Sequence, residues 1–203
     1  MRTLKSTLPP LLPLFLLACG GPPPAGEEQP VTRSAALTSV ASEGCVFQIS
    51  SRMKRGPMPP QMQIVLTRED VGGCEWGNGS VVLGTTYDDS SLSLTANASG
   101  IAVGFTYKAT PSGSAAVSVQ VRHLDPQTLE VVRSTSLGAL NPTQAGYVHD
   151  GELSLRDNGT TLEVRGSKSG AIPGEVGSGC NYVALFPDFF TSTTAPTITA
   201  DEG

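Results

Sequence analysis

Leu92-Ser93-Leu94-Thr95-Ala96-Asn97-Ala98-Ser99-Gly100-Ile101-Ala102-Val103-Gly104-Phe105-Thr106-Tyr107 reads as two strands joined by a tight turn. In an extended chain, alternate residues share a face, so Ile101, Val103, Phe105 and Tyr107 line one side. The small residues Ala102 and Gly104 fall between them. Asn97-Ala98-Ser99-Gly100 supplies the short polar and glycine residues that reverse the chain.

The same grammar continues on both sides. Downstream, Pro111-Ser112-Gly113-Ser114 turns the chain into 116–124 (AVSVQVRHL), where Val117, Val119 and Val121 alternate. Asp125-Pro126-Gln127-Thr128 turns it again into 129–137. At Leu153 the opening pattern returns, 61 residues after Leu92, as L-S-L-x-x-N-x-[ST]-x-[IL]-x-V. Here Asn158-Gly159 provides the positive φ angles of a tight hairpin. Duplication and convergence on one turn chemistry both fit this echo. Upstream, 45–54, 61–68 and 80–87 read as strands, and 180–186 (CNYVALF) as a last one. The expected fold is therefore all-β: an antiparallel sandwich or barrel of about 8–9 strands over residues 44–190. Residues 166–179 read as a mobile Gly/Ser-rich loop. Pro187-Asp188-Phe189-Phe190 is expected to pack as a lid, and 191–203 reads as a disordered tail.

Leu124-Asp125-Pro126 before Leu129-Glu130-Val131 resembles propeller blades that end in LDP-x-T-x-x-V. The resemblance covers one segment of about 45 residues and implies a blade-like sheet. Residues 45–190 would supply at most three or four blades, so a closed propeller is not expected.

The N-terminus has a different character. Met1-Arg2-Thr3-Leu4-Lys5 carries two positive charges and no acid, and an apolar run follows over 8–18 (LPPLLPLFLLA). The run is shorter than the roughly 20 residues of a membrane span, and Pro9, Pro10 and Pro13 interrupt it. The layout is that of a secretory signal. Leu16-Leu17-Ala18-Cys19 at its exit resembles the lipobox of bacterial lipoproteins. The resemblance implies a signal peptide over 1–18, diacylglyceryl on the Cys19 thiol, cleavage before Cys19 and acylation of the new amino terminus. Acyl chains add about 0.8 kcal/mol per buried CH₂, so three of them would anchor the protein firmly in a membrane. Gly20-Gly21, with no Asp at the second position, is similar to an outer-membrane address. Residues 19–43, rich in Pro, Gly and Ser, read as a disordered, flexible tether.

Charge narrows the partners. The chain carries 13 Lys and Arg against 18 Asp and Glu, and removing Arg2 and Lys5 leaves 11 against 18. Nucleic-acid binding is dominated by phosphate neutralisation, so a nucleic-acid partner is not expected. Docking on anionic head groups through basic patches is not expected either.

With Cys19 lipidated, three cysteines remain: Cys45, Cys74 and Cys180. An oxidising envelope allows one disulfide and leaves one thiol over. A hairpin centred near Met58 puts Cys45 opposite about residue 71, which favours Cys45–Cys74; Cys180 is the rival partner for either. No paired Cys/His spacing of a zinc site is present.

Candidate chemistry is sparse. His123 and His149 are the only histidines and could act with Asp125 or Asp150 if the fold joined them; a concave site gathering Trp76, a histidine and acids would be the sign of it. The α/β-hydrolase elbow G-x-S-x-G is missing. Ser51-Arg52-Met53-Lys54 fits S-x-x-K but lies on a strand rather than at a helix start. Asp88-Asp89 and Asp157-Asn158-Gly159 lack the spacing of a calcium loop. Asn78-Gly79-Ser80, Asn97-Ala98-Ser99 and Asn158-Gly159-Thr160 match the glycosylation sequon and read as turn chemistry. No phosphate, dinucleotide or haem motif occurs, so no cofactor or metal is expected. The leading expectation is a lipid-anchored envelope protein with a non-enzymatic binding or structural β-domain, meeting the membrane through its anchor and an envelope protein or glycan through its loops and edges. The alternatives are an envelope hydrolase or carbohydrate-active domain using His123 and His149, and a blade-like scaffold module of a larger complex.

Overall fold

The computed structural model describes residues 38–202 apart from 55, 57, 58, 89, 157 and 158. Cys19, the lipobox-type segment and the tether as far as residue 37 lie outside the described residues.

The described residues form thirteen strands and no helix: β1 (Ser39–Ser42), β2 (Cys45–Lys54), β3 (Gln61–Asp70), β4 (Gly79–Thr86), β5 (Leu92–Asn97), β6 (Gly100–Lys108), β7 (Val117–Leu124), β8 (Val131–Gly138), β9 (Tyr147–Arg156), β10 (Thr161–Ser169), β11 (Glu175–Gly177), β12 (Asn181–Phe186) and β13 (Thr197–Asp201). One sheet has four strands in the order β1-β2-β3-β4. The other has nine, running β11-β13-β12-β10-β9-β7-β6-β5, with β8 also paired to β7. Its two halves join at a single bridge, Val117↔Tyr147.

Followed along the chain, these ladders are three antiparallel meanders of four strands each: β1–β4, β5–β8, and β9-β10-β12-β13. β11 adds to the last in parallel, along β13. The segment that resembles a blade is the middle meander. It lies between two apolar cores. Phe47, Ile49, Ile64, Leu66 and Leu83 of the first meander pack with Leu94, Ile101, Val103 and Phe105 of the middle one. On the other face, Ala102, Val119, Val121 and Leu137 pack with Val148, Leu162, Val164, Tyr182 and Phe186 of the third. The result is a β-sandwich, not closed into a barrel.

This stacking explains the alternation in β6. The strand is buried on both faces from Gly100 to Thr106, as strands covered on two sides are. Its large residues fill the first core. Its small ones let β9 approach, since a Cβ on Gly104 would sit 2.8 Å from the Gly151 carbonyl oxygen. Gly151 is equally constrained, because a Cβ there would meet a Val119 methyl at 2.4 Å.

The hairpin echo maps onto the same architecture. β6 and β10 are both nine residues long, both second strands of a meander, and start at Gly100 and Thr161. The two hairpin tips also touch: Asn97 Nδ2 donates to the Gly159 carbonyl at 2.8 Å.

Cys45 faces Asp70 in the β2–β3 register, one residue from the expected alignment. It is disulfide-bonded to Cys74, with the Cα atoms 4.6 Å apart. The rival Cys180 takes no part in that bond.

Four expectations need correction. The strands exceed eight or nine largely because β1 and β11 at sheet edges, and β13 between β11 and β12, are short pieces, and alternation over three to five residues is no signal. The tether does not extend to residue 43, since β1 pairs with β2 from Ser39 onward. The stretch 166–179 is not a mobile loop. β10 continues to Ser169, and the buried Lys168 Nζ binds Glu175 Oε1 and the Gly170 carbonyl, each at 3.0 Å. Nor is 191–203 a frayed tail: β13 pairs with β12 and buries Ile198 and Ala200. The lid does form, with Phe189 buried against Phe186 and His123.

Candidate functional site

The two histidines are not brought together. β7 and β9 run parallel from Val117↔Tyr147. His123 lies six residues beyond that bridge and His149 two, an offset of about 13 Å along the strands at 3.3 Å per residue. Their side chains also face different surroundings. His123 is 6% exposed, with its ring 5.1 Å from Phe190 and 5.9 Å from Phe189. Burial pulls its pKa below the ordinary imidazole value, against the nearby charge of Asp125. His149 instead stacks on Tyr147, centroids 5.9 Å apart and planes 14° apart. Trp76 belongs to neither setting; it packs against the first core, beneath the Arg68 guanidinium. Ser51-Arg52-Met53-Lys54 runs out along the exposed end of β2. Two sequon asparagines serve as turn residues. Asn97 Oδ1 accepts from the Ser99 N–H at 2.8 Å, and Asn78 Oδ1 from the Asp70 N–H at 2.8 Å. Asn158 lies outside the described residues.

The structure offers a different site. The outer face of the third meander, away from the middle one, carries a groove of about 420 Å³ lined by Asp150, Glu152, Arg165, Ser167, Asn181 and Asp201, among others. Four strands contribute in register. His149 pairs with Ser167, Ser167 with Asn181, and Asn181 with Asp201, so one row crosses β9, β10, β12 and β13. Glu152 and Arg165 pair in a second row.

Between the rows, β9 carries an extra residue. The register shifts between Arg165 and Ser167, and Asp150 adopts φ 67°. Left-handed backbone of this kind is uncommon outside glycine, and Asp tolerates it better than most residues. The bulge aims the Asp150 carboxylate at Ser167, whose Oγ donates to Oδ2 at 2.9 Å. Gly166 lies opposite, where a Cβ would collide with the His149 carbonyl oxygen at 2.1 Å. Below it Tyr182 is buried, and its hydroxyl donates to that same carbonyl at 3.5 Å. Burial drives the Tyr182 pKa strongly upward, so the phenol stays protonated.

Arg165 is oriented rather than free-swinging. Its Nε donates to Glu163 Oε1 at 2.6 Å and Nη2 to Oε2 at 3.3 Å, while Arg156 clamps Glu163 from the other side. Burial tends to raise the Glu163 pKa, but Arg165 and Arg156 outweigh it and hold the carboxyl below its usual value. The groove thus offers carboxylate acceptors, one guanidinium, one amide and one hydroxyl on a rigid sheet. Asp150, Glu152 and Asp201 against Arg165 leave it net negative. Among the described residues, no group of three or more His, Cys, Asp or Glu is arranged to hold a metal ion.

Strand alternation identifies which residues face outward but not which strands are neighbours, so the row His149–Ser167–Asn181–Asp201 was invisible in the sequence. No protein-family model, curated protein or solved structure matches this chain.

Proposed function

We propose that the chain is a lipid-anchored protein of the bacterial envelope, held at the outer membrane through Cys19, whose β-sandwich is a non-enzymatic binding or structural module. The observation that carries this reading is Leu16-Leu17-Ala18-Cys19 at the exit of a short apolar run behind Arg2 and Lys5. The Cys45–Cys74 bond supports it, because disulfides persist in oxidising compartments. The groove on the third meander supports the binding role. The hydrolase reading needed His123 and His149 in one site, and their placement lends it no support.

A second reading, a blade-like scaffold module of a larger complex, is favoured by the three stacked meanders. Its test is the size of the particle extracted from membranes in mild detergent, where a monomer would sink it. The anchor is tested by Cys19→Ser with detergent phase partitioning and labelled palmitate. The wild-type chain should take up label and enter the detergent phase, and the variant should do neither. A variant that still fractionates with membrane overturns the reading.

A further inference from the structure

We propose that the groove across β9, β10, β12 and β13 is a saccharide-binding site that takes neutral or amine-bearing sugars and rejects acidic ones. The proposal deepens the reading of the domain as a binding module and rests on it.

Four observations combine. First, the groove, at about 420 Å³, falls within the roughly 300–1,000 Å³ of small-ligand sites. Second, its lining suits a polyhydroxyl ligand. Each hydroxyl both donates and accepts, and the face pairs acceptors (Asp150, Glu152, Asp201) with donors (Arg165) and with Asn181, which does both. The row Ser167–Asn181–Asp201 repeats at the spacing between strands, about 4.8 Å, so it addresses several hydroxyls of one extended ligand. Third, the Tyr147 and His149 rings, stacked with their planes 14° apart, lie along β9 beside the groove, where His149 pairs with Ser167. An aromatic ring face at the margin of a groove is a surface on which the C–H face of a sugar ring rests. Fourth, the polar groups are fixed in advance. Asp150 is set by the bulge and Ser167, and Arg165 by its fork on Glu163. Preorganised groups lose little entropy when a ligand arrives.

Charge decides the class of sugar. Three carboxylates against one guanidinium repel uronates, sialic acids, sulfates and phosphates, and attract an amine. A dedicated cation site fits less well, since the carboxylates are spread over β9 and β13 around Arg165 instead of converging on one point.

The test uses the full chain, purified in detergent, with calorimetric titration of chitotriose, chitosan trimer, cellotriose, maltotriose and trigalacturonate as probes. At least one neutral or amino trisaccharide should bind, and trigalacturonate should not. Asp150→Gly keeps the backbone geometry while deleting the carboxylate, and Asn181→Ala removes the central amide; each should weaken binding at least tenfold, with unchanged melting behaviour. Overturning results are binding to no neutral or amino probe, preference for trigalacturonate, or affinity indifferent to both substitutions. If the chain remains in the detergent phase while no sugar binds, the saccharide site fails and the anchor stands. Loss of anchorage in wild type fails the other reading alone.

Discussion

Arg68 Nη1 lies 2.6 Å from the Gln127 carbonyl oxygen and the same distance from that of Pro126. The same guanidinium donates from Nε to Gly77 at 2.7 Å and from Nη2 to Trp76 at 2.8 Å. One buried cation at the end of β3 therefore ties the disulfide loop of the first meander to the β7–β8 turn of the middle one, using backbone carbonyls and no carboxylate. Arg122 acts in parallel. It donates to the Leu83 carbonyl on β4 from beside the Phe105 ring.

Removing the Arg68 fork should loosen the first meander from the second. Arg68→Met keeps the bulk but leaves four carbonyls without their donor, and should cost about 3 kcal/mol in chemical denaturation. Arg68→Lys should recover little of this, because a point ammonium cannot match the planar fork. Full stability in the lysine variant would show that charge alone suffices.

The Cys45–Cys74 bond closes a loop with a sequence separation of 29. On the chain-entropy account such a closure is worth about 3.5 kcal/mol. Cys45→Ala with Cys74→Ala should lower the unfolding free energy by about that amount, and peptide mapping without reductant should recover residues 45 and 74 in one linked fragment. Linkage of either residue to Cys180 would contradict the pairing.

The β-class, most long strands and the pairing of Cys45 with Cys74 were legible because they depend on local alternation and on one hairpin register. What escaped was set by contacts distant in sequence. Arg68 sits in phase with Ile64 and Leu66, on the buried side of β3, and that parity was the one available hint of a buried arginine. Nothing local could reveal its partners 58 and 59 residues away. β13 was hidden for a similar reason: Thr197-Ile198-Thr199 is β-branched, but five residues are too few to signal a strand by alternation, and the segment is ordered by pairing with β12 and β11. Ala102 and Gly104 were visible as small residues, but their purpose needed the third meander against the back of β6.

That purpose predicts a strict size limit at β6. Gly104→Val would drive a branched side chain into the Gly151 carbonyl oxygen and the Leu153 side chain, whose nearest atoms lie 2.8 and 3.2 Å from even a single Cβ. Overpacking of this kind costs about 1–3 kcal/mol, and here backbone must move, so the upper end is expected in thermal denaturation. Ala102, which faces the same side, should tolerate Gly far better than Gly104 tolerates Val. Equal costs at the two positions would mean that the close approach of β9 does not limit the fold.

His123 should make stability depend on pH in a defined direction. Burial between β6 and the Phe189-Phe190 lid holds its pKa below the ordinary value of 6.5; Asp125 and the Ser99 carbonyl favour the charged form, and Arg133, paired with His123 across β7–β8, opposes it. The folded protein therefore prefers neutral imidazole, and the unfolded chain takes up the proton first as pH falls. Stability from this residue is complete above about pH 6.5 and is lost as pH drops from there toward the lowered folded value, below which the loss levels off. His123→Gln stays uncharged throughout that window. Its unfolding free energy should lie below wild type at pH 7.5, with the gap narrowing by pH 5, while carboxylates titrate alike in both proteins and cancel. The lid should respond in the same window: proteolysis near Phe190 should quicken on acidification in wild type and stay flat in the variant. A gap that holds constant from pH 7.5 to 5 would rule out His123 as the titrating group.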